Sequence, residues 1–197
     1  QRFLREARLA AQVVHANVVS TIDAGVLCDE TPFIVMERLE GETVRDLLAK
    51  EGRLPLAQAV HILRQVLAGI EAAHARGVIH RDLKPSNVLR LDGARDGFVK
   101  VIDFGVAKQE GAATLTQDGS FLGTPSFMAP EQASRPSAVD ARADLYAVGA
   151  ILSHIVAGVL PSATPAPHPT LLPLLPAPPP PLPHATTDLP PPPLSIL

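Results

Sequence analysis

Fifteen of the chain's 21 prolines fall between Pro161 and Pro193, and this clustering limits how much of the 197 residues can form a folded unit. Each proline removes an amide donor and pushes the residue before it away from helical geometry, so no run of helices is expected there. Pro178-Pro179-Pro180-Pro181 and Pro190-Pro191-Pro192-Pro193 should be extended and polyproline-like. A folded unit is therefore expected in residues 1–161, followed by a low-complexity tail over 162–197. No Lys or Arg follows Arg142, so no charge flanks the proline runs to set a binding register. Two readings of the tail stay open: a solvated linker or shifted reading frame, and a docking site for proline-recognising domains.

Within the first 161 residues three short stretches stand out: His80-Arg81-Asp82-Leu83-Lys84-Pro85-Ser86-Asn87, Asp103-Phe104-Gly105 and Ala129-Pro130-Glu131. Their order and separation resemble the protein-kinase pattern, in which an H-R-D-L-x-x-x-N catalytic loop is followed by a D-F-G metal motif and an A-P-E end of the activation segment. Arg2-Phe3-Leu4-Arg5-Glu6-Ala7 and the catalytic loop together resemble the eukaryotic-like serine/threonine kinases of bacteria. A lone Asp or Lys in a loop is ordinarily a solvated charge. Three motifs in one register are not chance.

The resemblance implies an α+β fold of two lobes, here truncated: a remnant small lobe and hinge over 1–39 and a partial, mainly helical large lobe over 40–161. It implies phosphoryl transfer from ATP with Mg2+, a reaction that asks for positioning and charge neutralisation rather than covalent work. Asp82 is then the base that takes the proton of a substrate hydroxyl, and Lys84 a compact positive charge beside it. Asn87 and Asp103 supply oxygen ligands of the kind a hard cation prefers. Lys84 two residues after Asp82 is the serine/threonine pattern, and Thr124 is implied to bond both, so the expected partners are proteins with Ser or Thr acceptors. Met36 falls at the gatekeeper position, the Glu37 carbonyl and Leu39 amide would meet the adenine edge, and Leu89 would form the floor beneath the base. Glu6 is the implied ion-pairing glutamate of the regulatory helix. Arg81 before Asp82 implies a switch by phosphorylation of the polar stretch holding Thr114, Thr116 and Ser120.

Local patterns predict the elements. Phe3, Leu4, Ala7, Ala10, Ala11 and Val14 have helical spacing over 3–14, and Val18–Ala24 and Phe33–Glu37 read as short strands around a turn at Cys28–Pro32. Thr43 is a candidate N-cap with Asp46 three residues on, and Gly52 a stop. From Pro55 to Arg76 a longer helix carries Val60, Leu63, Val66, Leu67, Ile70 and Ala73 on one side, with Gly77 ending it; His61 and His74 on it read as surface or packed histidines. Val88-Leu89 and Phe98–Ile102 read as a hairpin that delivers Asp103. Leu145–Leu160 is short for a membrane span of about 20 residues and reads as a buried helix, apolar all round. By the resemblance, Asp144 at its start bonds the backbone around His80 and Arg81.

Composition narrows the class. A net charge of −3 makes no electrostatic case for nucleic acid. The single cysteine, Cys28, excludes an internal disulfide and fits a reducing, cytoplasmic setting; no secretory leader or membrane span is expected. No Gly-rich phosphate loop or V-A-I-K-like strand precedes Glu6, and the helices that would partner Glu131 are not expected after Pro161. The chain alone is therefore expected to turn over slowly. The competing class is a non-catalytic, pseudokinase-like or proline-tail interaction fragment.

Overall fold

The computed structural model describes residues 7, 9–93, 97–104, 125–134 and 138–158. Residues 7 and 9–11 are helical, and i→i−3 bonds from Gln12 and Val13 to the carbonyls of Leu9 and Ala10 tighten the turn that ends them. The expected stripe through Val14 therefore stops early: Val14 is 88% exposed, and Val13 packs instead with Val18 and Ala73. Strands β1 (Thr21–Val26) and β2 (Pro32–Met36) form an antiparallel hairpin, slightly displaced from the expected runs. Its turn is closed by the Leu27 amide on the Thr31 carbonyl and by Asp29, which accepts the Thr31 amide at 3.0 Å.

A second sheet runs in the order β3 (Gly41–Thr43), β4 (Val88–Leu91) and β5 (Val99–Val101), all antiparallel. The expected hairpin is β4–β5. Gly41 is required by proximity, because a Cβ there would lie 2.0 Å from the Arg90 carbonyl oxygen. Helix α1 (Val44–Glu51) starts as expected: Thr43 Oγ1 accepts the Asp46 amide at 3.1 Å and donates to its carboxylate at 2.6 Å. Gly52, at φ 74°, ends it with its amide on the Leu48 carbonyl.

Helix α2 (Leu56–His74) begins after Pro55 and buries Ala59, Ile62, Leu63, Val66, Gly69, Ile70 and Ala73. Val60 and Leu67, expected on that face, are 43% and 39% exposed. At 3.6 residues per turn both fall beyond one edge of the buried arc, which the apolar count alone did not reveal. The short helix α3 (Pro130–Ser134) precedes α4 (Arg142–Ala157), which packs on α2. Helix α4 is not buried all round: Ala143, Asp144, Ala147, Val148, Ala150, Ile151 and Ile155 face inward, while Leu145, Tyr146 and Leu152 are exposed. A continuous apolar run hides which side is covered, because hydrophobicity is uniform around it.

The main core joins α1, α2 and α4 to Val88, Val99 and Val101 of the second sheet. No helix of the described residues is long and apolar enough to cross a membrane. The Thr43 cap closes the junction between β3 and α1, so Thr43→Ala should cost about 1 kcal/mol in urea unfolding while Thr43→Ser retains most of the stability. An unchanged midpoint for the alanine variant would show that this cap is energetically idle.

Candidate functional site

The site is built around one buried carboxylate. Asp144, 1% exposed near the start of α4, accepts the His80 amide at 2.9 Å and the Arg81 amide at 2.8 Å. His74 at the end of α2 places its Nε2 2.7 Å from the same group. Together these satisfy a group whose burial would otherwise be costly. Arg81 holds the left-handed region at φ 62°, a conformation most side chains avoid. Its carbonyl accepts Gln132 Nε2 at 2.8 Å, and Gln132 Oε1 accepts the Ala129 amide at 3.0 Å. Its side-chain Nε is buried with no partner among the described residues.

His80 is fully buried beneath the loop and packs on the Phe104 ring with centroids 4.7 Å apart. Its Nδ1 accepts the Asp82 amide at 3.3 Å, so the proton sits on Nε2, which donates to the Ile102 carbonyl at 3.0 Å. Burial pushes the imidazole below its ordinary value, more than the nearby Asp144 carboxylate and the Ile102 carbonyl raise it. The neutral ring thus joins the loop to the segment carrying Asp103.

The Asp82 carboxylate meets Lys84 Nζ at 2.9 Å, both partly open to solvent. Pro85–Asn87 forms a 3-10 turn that brings Asn87 inward. Asn87 is nearly fully buried; its Nδ2 donates to the Asp82 carbonyl at 2.9 Å, and its Oδ1 accepts Ser86 Oγ at 3.3 Å. The Asn87 carbonyl accepts the Ile102 amide at 2.9 Å, which brings the end of β5 to the loop. Asp103 follows, exposed and at φ 56°. A carboxylate and an amide oxygen are hard donors and fit Mg2+, which takes few protein ligands and completes its shell with water or phosphate oxygens. Among the described residues no group of three His, Cys, Asp or Glu side chains is placed to hold a metal ion.

The segment after β2 carries Glu37 and Leu39, the residues expected to meet adenine. Glu37 and Leu39 are half-buried there. The Glu37 amide donates to the Ser20 carbonyl at 3.0 Å, and its Oε1 accepts the Ser20 amide at 2.7 Å and Lys100 Nζ at 2.5 Å. Burial alone would raise the Glu37 carboxyl, but the Lys100 and Ser20 bonds together outweigh it and hold the group low. Leu89 sits on β4 directly opposite Lys100. Glu6, Thr114, Thr116, Ser120 and Thr124 lie outside the described residues. Lys100 and Gln132 were not singled out from the sequence, and no spacing or periodic signal marks them.

The family model described as "Protein kinase domain" matches residues 1–169. The chain is 44% identical over 166 residues to the serine/threonine-protein kinase pkn3 of Myxococcus xanthus, covering 81% of this chain and 30% of that protein. It is 41% identical over 160 residues to the serine/threonine-protein kinase PknL of Mycobacterium tuberculosis, covering 81% of this chain and 39% of the relative. The chain thus spans well under half the length of these curated relatives. Its fold is similar to the crystal structure of the Mycobacterium tuberculosis PknI kinase domain, with TM-score 0.67 and 30% identity, covering 89% of this chain and 64% of that one. Rad53 in complex with AMP-PNP is also similar, with TM-score 0.67 and 27% identity over 83% of this chain and 40% of that chain.

The state of His80 is measurable. An unfolded histidine takes up its proton near pH 6.5, whereas the buried ring resists it. Below that pH the unfolded chain binds more protons, so this contribution to stability is complete above about 6.5 and declines as pH falls toward the lowered value. In an NMR titration the His80 ring should take up its proton at a lower pH than an exposed imidazole. A ring that titrates at its ordinary value would contradict the role of burial.

Proposed function

This chain belongs to the protein kinase domain family, and from that premise we propose that it transfers the γ-phosphoryl group of ATP to serine and threonine hydroxyls of proteins. The observation that carries the reading is the Asp82–Lys84 pair, 2.9 Å apart, on a loop whose backbone two neighbouring amides tie to the buried Asp144. The names of the relatives supply the acceptor class, and the nucleotide analogue on Rad53 is consistent with ATP as donor.

In this reading a substrate hydroxyl lies against Asp82, whose carboxylate takes the proton as the oxygen attacks the γ-phosphorus in line and the bond to ADP breaks. Lys84 sets a positive charge beside the transferring group as negative charge redistributes. Magnesium, when bound to Asn87 Oδ1 and the Asp103 carboxylate, supplies charge neutralisation on the phosphates. The Glu37 carbonyl and Leu39 amide recognise the adenine edge above Leu89. The resemblance further implies a place for Thr124 beside Asp82 and Lys84 and an ion-pairing role for Glu6, both outside the described residues. The non-catalytic alternative has no observation in its favour, since Asp82, Lys84, Asn87 and Asp103 are all present.

Asp103 offers the direct test. Asparagine tolerates the left-handed backbone that Asp103 holds, so Asp103→Asn removes charge with little strain. Phosphate transfer from Mg-ATP to a generic protein acceptor should fall about a hundredfold or more in the full gene product, with the melting temperature nearly unchanged. Undiminished transfer would refute the metal role. Regulation is read separately: phosphate on Thr114, Thr116 or Ser120 would order the activation segment against Arg81. Changing all three to Ala should hold transfer at its unphosphorylated level, and full activity in that variant would remove the switch.

A further inference from the structure

Lys100 does something that the catalytic motifs do not require. On β5 its register partner is Leu89, and residues directly opposite in an antiparallel pair project to one face. Val88, Val99 and Val101 fill the other face of these strands and are fully buried in the core. Lys100 therefore stands with Leu89 on the outward face, yet its side chain is only 13% exposed. The cause is its reach across to the segment after β2: Nζ lies 2.5 Å from Glu37 Oε1 and 3.4 Å from the Val18 carbonyl. The Glu37 oxygen that takes the ammonium also takes the Ser20 amide at 2.7 Å. One ion pair thus ties the Glu37 segment, the stretch at 18–20 and β5, which runs on to Asp103 three residues later.

We propose that Lys100 is a positioning residue for the nucleotide site, its ammonium group holding Glu37 so that the backbone at Glu37 stands in register with the face that carries Leu89. The inference rests on the nucleotide reading above and adds a determinant of affinity and base preference that lies outside the catalytic loop. The Glu37 amide donates to the Ser20 carbonyl while its side-chain oxygen takes both the Ser20 amide and the ammonium, so backbone and side chain of Glu37 are held together against the stretch at 18–20. A lysine has three donors, and with one on a carboxylate and one on a carbonyl the ammonium acts as a bracket rather than a freely rotating charge. Neutralising Lys100 leaves the β5 backbone bonds intact and leaves the Glu37 side chain held by the Ser20 amide without the tie to β5.

The test uses the full gene product and Lys100→Met, which keeps the apolar stem, with Glu37→Gln reading the same contact from the other side if Lys100→Met does not fold. Binding of ADP and of IDP, which replaces the exocyclic amine of adenine by an oxygen, is measured by calorimetry beside KM and kcat for ATP. The expected result is about five- to tenfold weaker ADP binding, a narrowed preference for ADP over IDP, and a rise concentrated in KM rather than kcat, with the melting temperature shifted little. The double variant should bind no worse than the weaker single one, because both remove the same contact. Fully additive losses, or ADP affinity and base preference within about twofold of the unsubstituted protein, would overturn the role of Lys100 alone. If the unsubstituted protein binds neither nucleotide, the functional reading itself fails and this inference falls with it.

Discussion

A single buried carboxylate organises the loop around His80 and Arg81. Asp144 has no water to fall back on, and its surroundings supply two main-chain amides and an imidazole instead. The dependence is mutual. Without the carboxylate, the His80 and Arg81 amides would lose a charged acceptor, and such losses cost more than an average hydrogen bond is worth. The backbone at Arg81 could then relax from its left-handed conformation, and the direction in which Asp82 leaves the loop would no longer be set. The hydrophobic core serves this arrangement. Ala143 and Ala147 are small and buried on either side of Asp144, so α4 can approach the loop closely, while Ile151 and Ile155 farther along fill the depth of the core.

The second organising element is β5, which is paired along both of its edges. On one side it pairs with β4; on the other Val101 bridges to Val18, with bonds from the Val19 amide and to the Asn17 carbonyl. Asn17 extends this contact by its side chain, donating to the Val99 carbonyl at 2.8 Å and to Gln65 of α2 at 3.1 Å. Gln65 in turn accepts the Val99 amide at 3.0 Å. A strand of three residues is thereby held by main chain on both edges, with amide side chains added on one. Asp103 follows its far end, and the Ile102–Asn87 bond joins that end to the loop carrying Asp82. The two anchors, Asp144 and β5, thus fix Asp82, Asn87 and Asp103 relative to each other through short paths.

The legible parts of the sequence were those whose chemistry is local. Asp82, Lys84 and Asn87 lie within six residues, so their types and spacing carried the site without any knowledge of the packing. The Thr43 cap was legible for the same reason, since donor and acceptor are three residues apart. The bond from Asp144 to the loop spans 64 residues and was accessible only through the resemblance of the whole motif set. The Lys100–Glu37 and Gln132–Arg81 contacts, across 63 and 51 residues, had no such guide. Periodicity failed in a different way at Val60, Leu67, Leu145, Tyr146 and Leu152. It located helices, but the edge of a buried arc depends on what stands opposite, and an apolar residue there reads the same whether covered or not.

The identity of Asn87 illustrates how local geometry restricts chemistry at the site. Its amide nitrogen donates to the Asp82 carbonyl inside the loop, and its oxygen meets the Ser86 hydroxyl. An aspartate of the same shape would place an acceptor against that carbonyl and lose the bond that folds the loop back on Asp82. It would also bury a charge at a position that is only 4% exposed, against the Asp82 carbonyl. Such a charge is tolerated only with a partner, and Lys84 is already engaged by Asp82. An amide avoids both penalties and still offers an oxygen. The loop needs a donor on one side of this residue and a neutral acceptor on the other, and among side chains of this length only asparagine has both.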